Sequence, residues 1–244
     1  MINSTADKHN YKDRYCAFVD MLGFKSFVNS DSYTEVYSAL QKFKVVASAR
    51  QPVISATCFS DSVILSIDVK KEHALYTLTM LLFYLAINLV NHKVLLRGGV
   101  TRGKVFHDSE YVFGPGINKA HTLESKEALY PRIIFDRSLN DREFLLESMD
   151  DAEETEFLDG LIPKDPKDPK DPEDPEDPEE PENEYRYLNY LSPDFLHSEL
   201  DDGYDATGYY KKLRDLTNEH KDSGCKNIAE KYKWLDRKLI IVDR

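Results

Sequence analysis

Cysteine pairs, membrane-length apolar runs and a concentrated basic stripe are all missing from this sequence, and each absence closes off a class of protein. The three cysteines, Cys16, Cys58 and Cys225, are odd in number and lack the spacing of a disulfide framework or a thiolate metal site. Two of them lie in apolar, strand-like runs, so they are expected as buried free thiols in a reducing cytoplasm. The opening stretch MINSTADKHNYKDRY is polar and charged, and no signal peptide is expected from it. One long uncharged run stands out, ALYTLTMLLFYLAINLV over 74–90, but it is at the short end for a bilayer and carries Thr77, Thr79 and Asn88. A core helix is expected there, and no membrane span.

Negative charge is abundant but unevenly placed. The formal charge is -12; 11 acidic and 3 basic residues over 163–184 supply -8 of it, and 7 acidic residues without a basic one over 147–159 supply -7. The remainder is +3. A mildly basic body suits a polyanionic small molecule and does not suit a nucleic-acid reader.

The apolar pattern divides the chain into alternating elements. A strand over 15–20 breaks at Gly23; a helix over 32–49 repeats Tyr33, Val36, Tyr37, Leu40, Phe43, Val46 and Ala47 at helical spacing. Two strands, 53–59 and 62–67, meet at a tight Ser60-Asp61 connection. The 74–90 helix follows, then a strand over 95–105 with a second hairpin arm near 110–113, a helix over 114–128 and a strand over 132–136. In order this is β-α-β-β-α-β with an extra arm, an α+β class with a ferredoxin-like antiparallel sheet and both helices on one face. Prolines at every third position from Pro163 to Pro181 match the turn of polyproline II and read as a stiff solvated spacer. Helices over 209–217 and 228–239, preceded by a Ser192-Pro193 cap, are expected to pack back on the core. The expected organisation is a main domain over 1–146, an acidic disordered Asp-Pro-rich insert over 147–184 and a helical segment over 185–244.

Chemistry enters with the question of why Asp20 sits inside FVDMLGF. Asp20 closes one apolar strand and Asp61 occupies the turn between two others, so a shared sheet brings the two carboxylates to one edge. Like charges there repel, and a divalent cation is the simplest way to keep both ionised. The plainer reading makes each a turn cap. Met21-Leu22-Gly23-Phe24 is a strand-to-helix turn whose amides favour an anion. Gly98, Gly99 and Gly103 permit close backbone approach or simply serve the hairpin. His107 and His121 could face a site, although ordinary packing or surface roles are expected of them.

At these residues a family resemblance appears. FVDMLGF resembles the first metal motif of class III nucleotide cyclases, CFSDSVILSI the second, and LLRGGVTRGKV and YVFGPGINKAHTLES the glycine hairpin and the following helix of the same domain. The resemblance covers about residues 15–136 in the family's order and implies a class III cyclase domain with a C-terminal helical appendage. It implies two divalent ions, Mn2+ or Mg2+, held by Asp20 and Asp61 with the Met21 carbonyl on one of them. Amides of Leu22, Gly23 and Phe24 would then hold the β and γ phosphates.

The departures concern the base. The base-reading position usually filled by Lys or Glu is Thr57, and the one usually filled by Asp or Cys is Tyr111. Asn118 matches the family Asn, but the transition-state Arg four residues later is Thr122. Charge stabilisation then falls to other groups, Arg97, Arg102, Lys119 or Arg132. YCAFVDMLGF, GGVTRG, FGPG, AHTLES, YPRIIFD and KYKWL together resemble the pyrimidine cyclases of the bacterial Pycsar antiphage system. That resemblance implies conversion of UTP, in preference to CTP, to the 3′,5′-cyclic monophosphate, which would activate a separate effector during phage infection. It also implies a homodimer, with the metal aspartates from one subunit and Asn118 and the base-reading residues from the other. A degenerate nucleotide-binding module, a purine cyclase and a palm-like nucleotidyl transferase are the alternatives.

Overall fold

The computed structural model describes residues 10–29, 33–48, 53–164, 185–191 and 206–242. Strand β1 (Lys12–Leu22) lies in the interior of the sheet, flanked antiparallel by β3 (Ser62–Asp68) on one side and by β4 (Leu95–His107) on the other. Strand β2 (Ile54–Phe59) pairs outside β3 and closes that edge. The order β2-β3-β1-β4, with α2 (Tyr33–Ser48) and α3 (Ala74–Val90) as the two connections, is the expected βαββαβ arrangement. The short helix α1 (Phe24–Asn29) precedes α2.

Beyond β4 the sheet is extended. A short hairpin arm, β5 (Val112–Phe113), pairs with the end of β4, and α4 (Pro115–Thr122) crosses back so that β6 (Ile133–Phe135) lies parallel to β4. The sheet is therefore mixed, not wholly antiparallel, because a helical crossover returns the chain in its original direction. Strand β7 (Arg186–Leu188) adds antiparallel to β6 and has no counterpart in the sequence expectations. The expected 114–128 helix divides: α4 ends at Thr122 and a wider helical turn runs through Leu123–Glu127.

Strand alternation gives the sheet two unlike faces. Ala17, Val19 and Met21 of β1, Val63, Leu65 and Ile67 of β3, and Leu96 and Val100 of β4 are buried in the main core. Helix α3 covers them with Leu75, Leu78, Leu82, Phe83, Leu85 and Leu89, at about 1.5–3 kcal/mol for each large side chain removed from water. Its length of 17 residues matches the uncharged run, and among the described residues no helix is long and apolar enough to cross a membrane. Helices α6 (Ala206–His220) and α7 (Lys226–Val242) join the same core through Leu213, Leu216, Trp234, Leu235 and Leu239.

Three expectations change. The stretch over 147–162 is not a solvated insert: α5 (Asp151–Thr155) and the turn Glu156–Leu161 carry Phe157, Leu161 and Ile162 into the main core. The proline repeat from 165 to 184 and the Ser192-Pro193 cap lie outside the described residues. Tyr33 and Tyr37, expected on the apolar stripe of α2, are exposed and stack on each other at 6.0 Å, leaving Ala39 and Leu40 to meet the core. Of the free cysteines only Cys16 is buried; Cys58 sits near the uncovered end of edge strand β2 and Cys225 just before α7, both exposed.

Candidate active site

On the face opposite the main core, the register lines up three rows of side chains. The outermost row is Phe59, Ser62, Asp20 and Arg97; the next is Thr57, Ile64, Phe18 and Gly99; the third is Ser55, Ser66, Cys16 and Thr101. Helix α4 lies over part of this face, with His121 edge-on to Phe18 at 4.9 Å. Its approach requires glycine at 99, where a Cβ would come within 2.5 Å of the Ala120 carbonyl oxygen and the Leu123 Cβ.

Asp20 and Asp61 meet as the sequence suggests. The Met21 amide donates to the Asp61 carbonyl at 3.0 Å, and the Ser62 hydroxyl donates to Asp20 Oδ1 at 3.0 Å, so the β2–β3 turn is fastened to the exit of β1. That turn takes two residues, with Ser60 in the left-handed region at φ 53°. Burial, and then the neighbouring Asp61 charge, push the Asp20 carboxyl above the usual carboxylate range, against opposing pulls from Ser62 and Arg97. Arg97 Nη2 is 3.5 Å from Asp20 Oδ2, while its Nε is 2.7 Å from the buried Glu124 Oε1. The latter is a close charge contact and not an aligned hydrogen bond. Burial raises the Glu124 carboxyl too, with Arg97 opposing and Asp20 adding. Arg97 is thus shared between two carboxylates, and Asp20 is left short of positive charge.

Next to this cluster the chain turns at Gly23, whose φ of 78° suits glycine. Met21, Leu22, Gly23 and Phe24 line a cavity of about 560 Å³ whose far wall is built by α7 residues including Lys231 and Tyr232. The Lys231 amine is half-buried; burial lowers its pKa first and Arg97 next, whereas Asp20 and Glu124 oppose the shift. Lys231 and Glu124 are the residues that sequence reasoning missed. The KYKWL segment contains the first, and the helical spacing of Ile228, Tyr232, Leu235 and Leu239 is the one signal that could have turned it toward the core.

Solved structures with a similar chain path include adenylyl cyclases. CyaB from P. aeruginosa shares 13% identity with a TM-score of 0.46, over 73% of this chain and 93% of that one. A bacterial light-regulated adenylyl cyclase shares 12% with a TM-score of 0.44, over 84% of this chain and 98% of that one. No protein-family model matches the sequence, and no curated protein does. At such scores the functional reading rests on the site itself.

A second polar cluster crosses the same face. Arg14 Nε donates to Ser66 Oγ at 2.8 Å, Ser66 Oγ meets His107 Nδ1 at 2.7 Å, and His107 Nε2 meets Thr57 Oγ1 at 3.0 Å. His107, from the end of β4, reaches across β1 and β3 to do this. Burial, with the Arg14 charge adding, pushes its pKa down to about 4, so the ring is neutral.

The other sequence candidates are spread. Tyr111 is exposed in the β4–β5 connection, its amide bound to Asp108 Oδ1 at 2.7 Å, and Asn118 is exposed on α4. Among the described residues no hydrogen bond or ion pair ties Tyr111, Asn118 or Thr57 to the Asp20 cluster within the chain. Of the four cations considered, Arg97 alone stands beside Asp20. Arg102 is bound to Asp13 and Glu143, Lys119 to Asp136, and Arg132 lies over the Tyr130 and Trp234 rings.

Proposed function

We propose that this protein is a nucleotide cyclase that converts a pyrimidine nucleoside triphosphate, UTP in preference to CTP, to its 3′,5′-cyclic monophosphate and pyrophosphate. The observation that carries the reading is the pairing of Asp20 with Asp61 at one end of the sheet, beside an open turn at Leu22, Gly23 and Phe24. A carboxylate raised first by burial and then by a second carboxylate, with its nearest Arg shared with Glu124, fits a divalent cation. Among the described residues no group of three or more His, Cys, Asp or Glu forms a closed cage, and an open two-carboxylate site leaves positions for substrate oxygens.

Asp20 and Asp61, with the Met21 carbonyl, would hold Mn2+ or Mg2+, whose chemistry here is to neutralise the triphosphate and make the ribose 3′-hydroxyl more acidic. The reaction forms a bond from the 3′-oxygen to the α-phosphorus and breaks the bond to the departing pyrophosphate. The residues of the chain orient the two in line and spread the charge. The turn amides would donate hydrogen bonds to the β and γ phosphates. Arg97 and Lys231 supply positive charge in place of the family Arg that Thr122 replaces.

Thr57, Tyr111 and Asn118 would complete the site from the second subunit of a homodimer. The exposed Phe59 on this face and Tyr111 in the β4–β5 connection, 78% and 61% accessible, are apolar surface for that contact. In this reading the product is a messenger for a separate effector in antiphage defence.

The test is direct. The full-length protein is incubated with Mn2+ or Mg2+ and each of ATP, GTP, CTP and UTP, and products are identified by mass. A cyclic pyrimidine monophosphate that disappears in Asp20→Asn and Asp61→Asn is the expected result. Binding without any product would leave a nucleotide-binding module, and linear or dinucleotide products a nucleotidyl transferase.

A further inference from the structure

The cluster that runs from Arg14 to Thr57 contains enough hydrogen-bond donors and acceptors to fix the direction of every proton in it. Arg14 only donates, so its Nε–H and Nη2–H point at the oxygens of Ser66 and Ser55, at 2.8 and 2.9 Å. Ser66 has no exposed surface, and a buried hydroxyl must place its own hydrogen on an acceptor. Among the described residues the acceptor given to it is His107 Nδ1 at 2.7 Å. The neutral His107 ring therefore accepts at Nδ1 and carries its hydrogen on Nε2. Nε2–H then donates to Thr57 Oγ1 at 3.0 Å. One lone pair of that oxygen is then taken, and the described residues give it no second partner, so the Thr57 hydroxyl keeps its hydrogen and one lone pair for an outside group.

From this chain of donors we infer that His107 is a positioning residue that presents Thr57 as a hydrogen-bond donor, selecting a base edge that carries a carbonyl oxygen. Uracil offers O4, which takes that hydrogen directly, at the place where cytosine offers an amino group, which Thr57 can meet only if its own hydrogen finds another acceptor. The inference rests on the reading of Thr57 as a base-facing residue in the proposed cyclase. It supplies a physical reason for UTP over CTP that Thr57 alone does not, since a free threonine hydroxyl serves either base.

Two measurements test it. Long-range 15N–1H correlation on the full-length protein near neutral pH, with the His107 signals identified by their loss in His107→Gln, reads the tautomer. The hydrogen on Nε2 is expected; a hydrogen on Nδ1, or a doubly protonated ring, overturns the inference.

The second measurement is equilibrium binding of UTP and of CTP to wild type and to Thr57→Val, which keeps the shape and removes the hydroxyl. Wild type is expected to prefer UTP, and the preference to shrink about tenfold in the variant, the scale of one lost directed hydrogen bond. An unchanged UTP:CTP ratio overturns the inference even if cyclic product forms. A ratio that falls in a protein making no cyclic product upholds it and rejects the cyclase reading instead.

Discussion

The two faces of the sheet are made from alternate residues of the same strands, and they differ in almost every physical respect. On one, Val19, Leu65, Ile67 and Val100 have no exposed surface and lie under α3 and the C-terminal helices. On the other, strands β1 to β4 present Asp20, Arg97, Ser66 and Thr57, with α4 covering the part around Cys16, Phe18 and Val105. The first face holds the fold through burial that is nondirectional and tolerant in detail. The second concentrates directional and charged interactions, including a carboxylate that burial and Asp61 together disfavour. A strand period of two lets one sheet keep stability and reactivity apart, so substitutions on the two faces should separate into different measurements.

The largest effect belongs to the polar face. Asp20→Asn or Asp61→Asn is expected to lower cyclase activity by at least about 100-fold, the scale of removing one group that stabilises transition-state charge, measured as cyclic product by mass. Asp20→Asn should leave Tm at neutral pH equal or higher, because it removes a buried charge beside another of its sign. Mn2+ should raise the Tm of wild type and not of the variant. Leu65→Ala, on the core face, is expected to do the reverse, costing about 2–5 kcal/mol in denaturant unfolding with little change in kcat of the folded protein. An Asp20→Asn protein as unstable as Leu65→Ala would end the division of labour between the faces.

Gly99→Ala should fall next, at about 1–3 kcal/mol, because Cβ at 2.5 Å from both the Ala120 oxygen and the Leu123 Cβ must push α4 off the sheet. It sharpens the comparison. On the polar face stability depends on close backbone approaches such as this one, so thermal unfolding should fall without the broad loss of packing that a core leucine causes.

Much of this was legible in the sequence where the cause is local. The apolar run through β1, the uncharged helix and the two-residue Ser60-Asp61 turn each declare themselves within a few residues, and together they bring Asp20 to Asp61. What could not be read depends on partners far away in the chain. Arg97 could be singled out, but its division between Asp20 and Glu124 needs the packing of the Leu123–Glu127 turn against β4. Lys231 comes from the last helix, and nothing in KYKWL says which of its lysines faces the cavity. His107 looked like a scattered histidine until the end of β4 carried it over to Ser66 and Thr57. Strand β7, three residues after an acidic repeat, is too short to show alternation. The burial expected of Cys58 fails because β2 is an edge strand whose far end none of the described residues covers.

The smallest expected effect is a pH dependence that isolates His107. Its folded pKa is depressed to about 4 from an ordinary value of 6.5, so below pH 6.5 the unfolded chain takes up a proton that the folded protein refuses. The stability due to the neutral ring is complete above pH 6.5 and is lost as pH falls toward about 4. Asp20 and Glu124 act with the opposite sign, since carboxyls raised by burial bind protons more readily when folded, and that partly masks the histidine in wild type. The difference between wild type and His107→Gln removes the mask, because both proteins keep those two carboxyls. The unfolding free energy of wild type minus that of His107→Gln should therefore rise with pH between 4 and 6.5, whatever the total slope. Parallel curves would mean that His107 is open to protonation in the folded protein, and the polar face would then lose its one neutral, direction-setting ring.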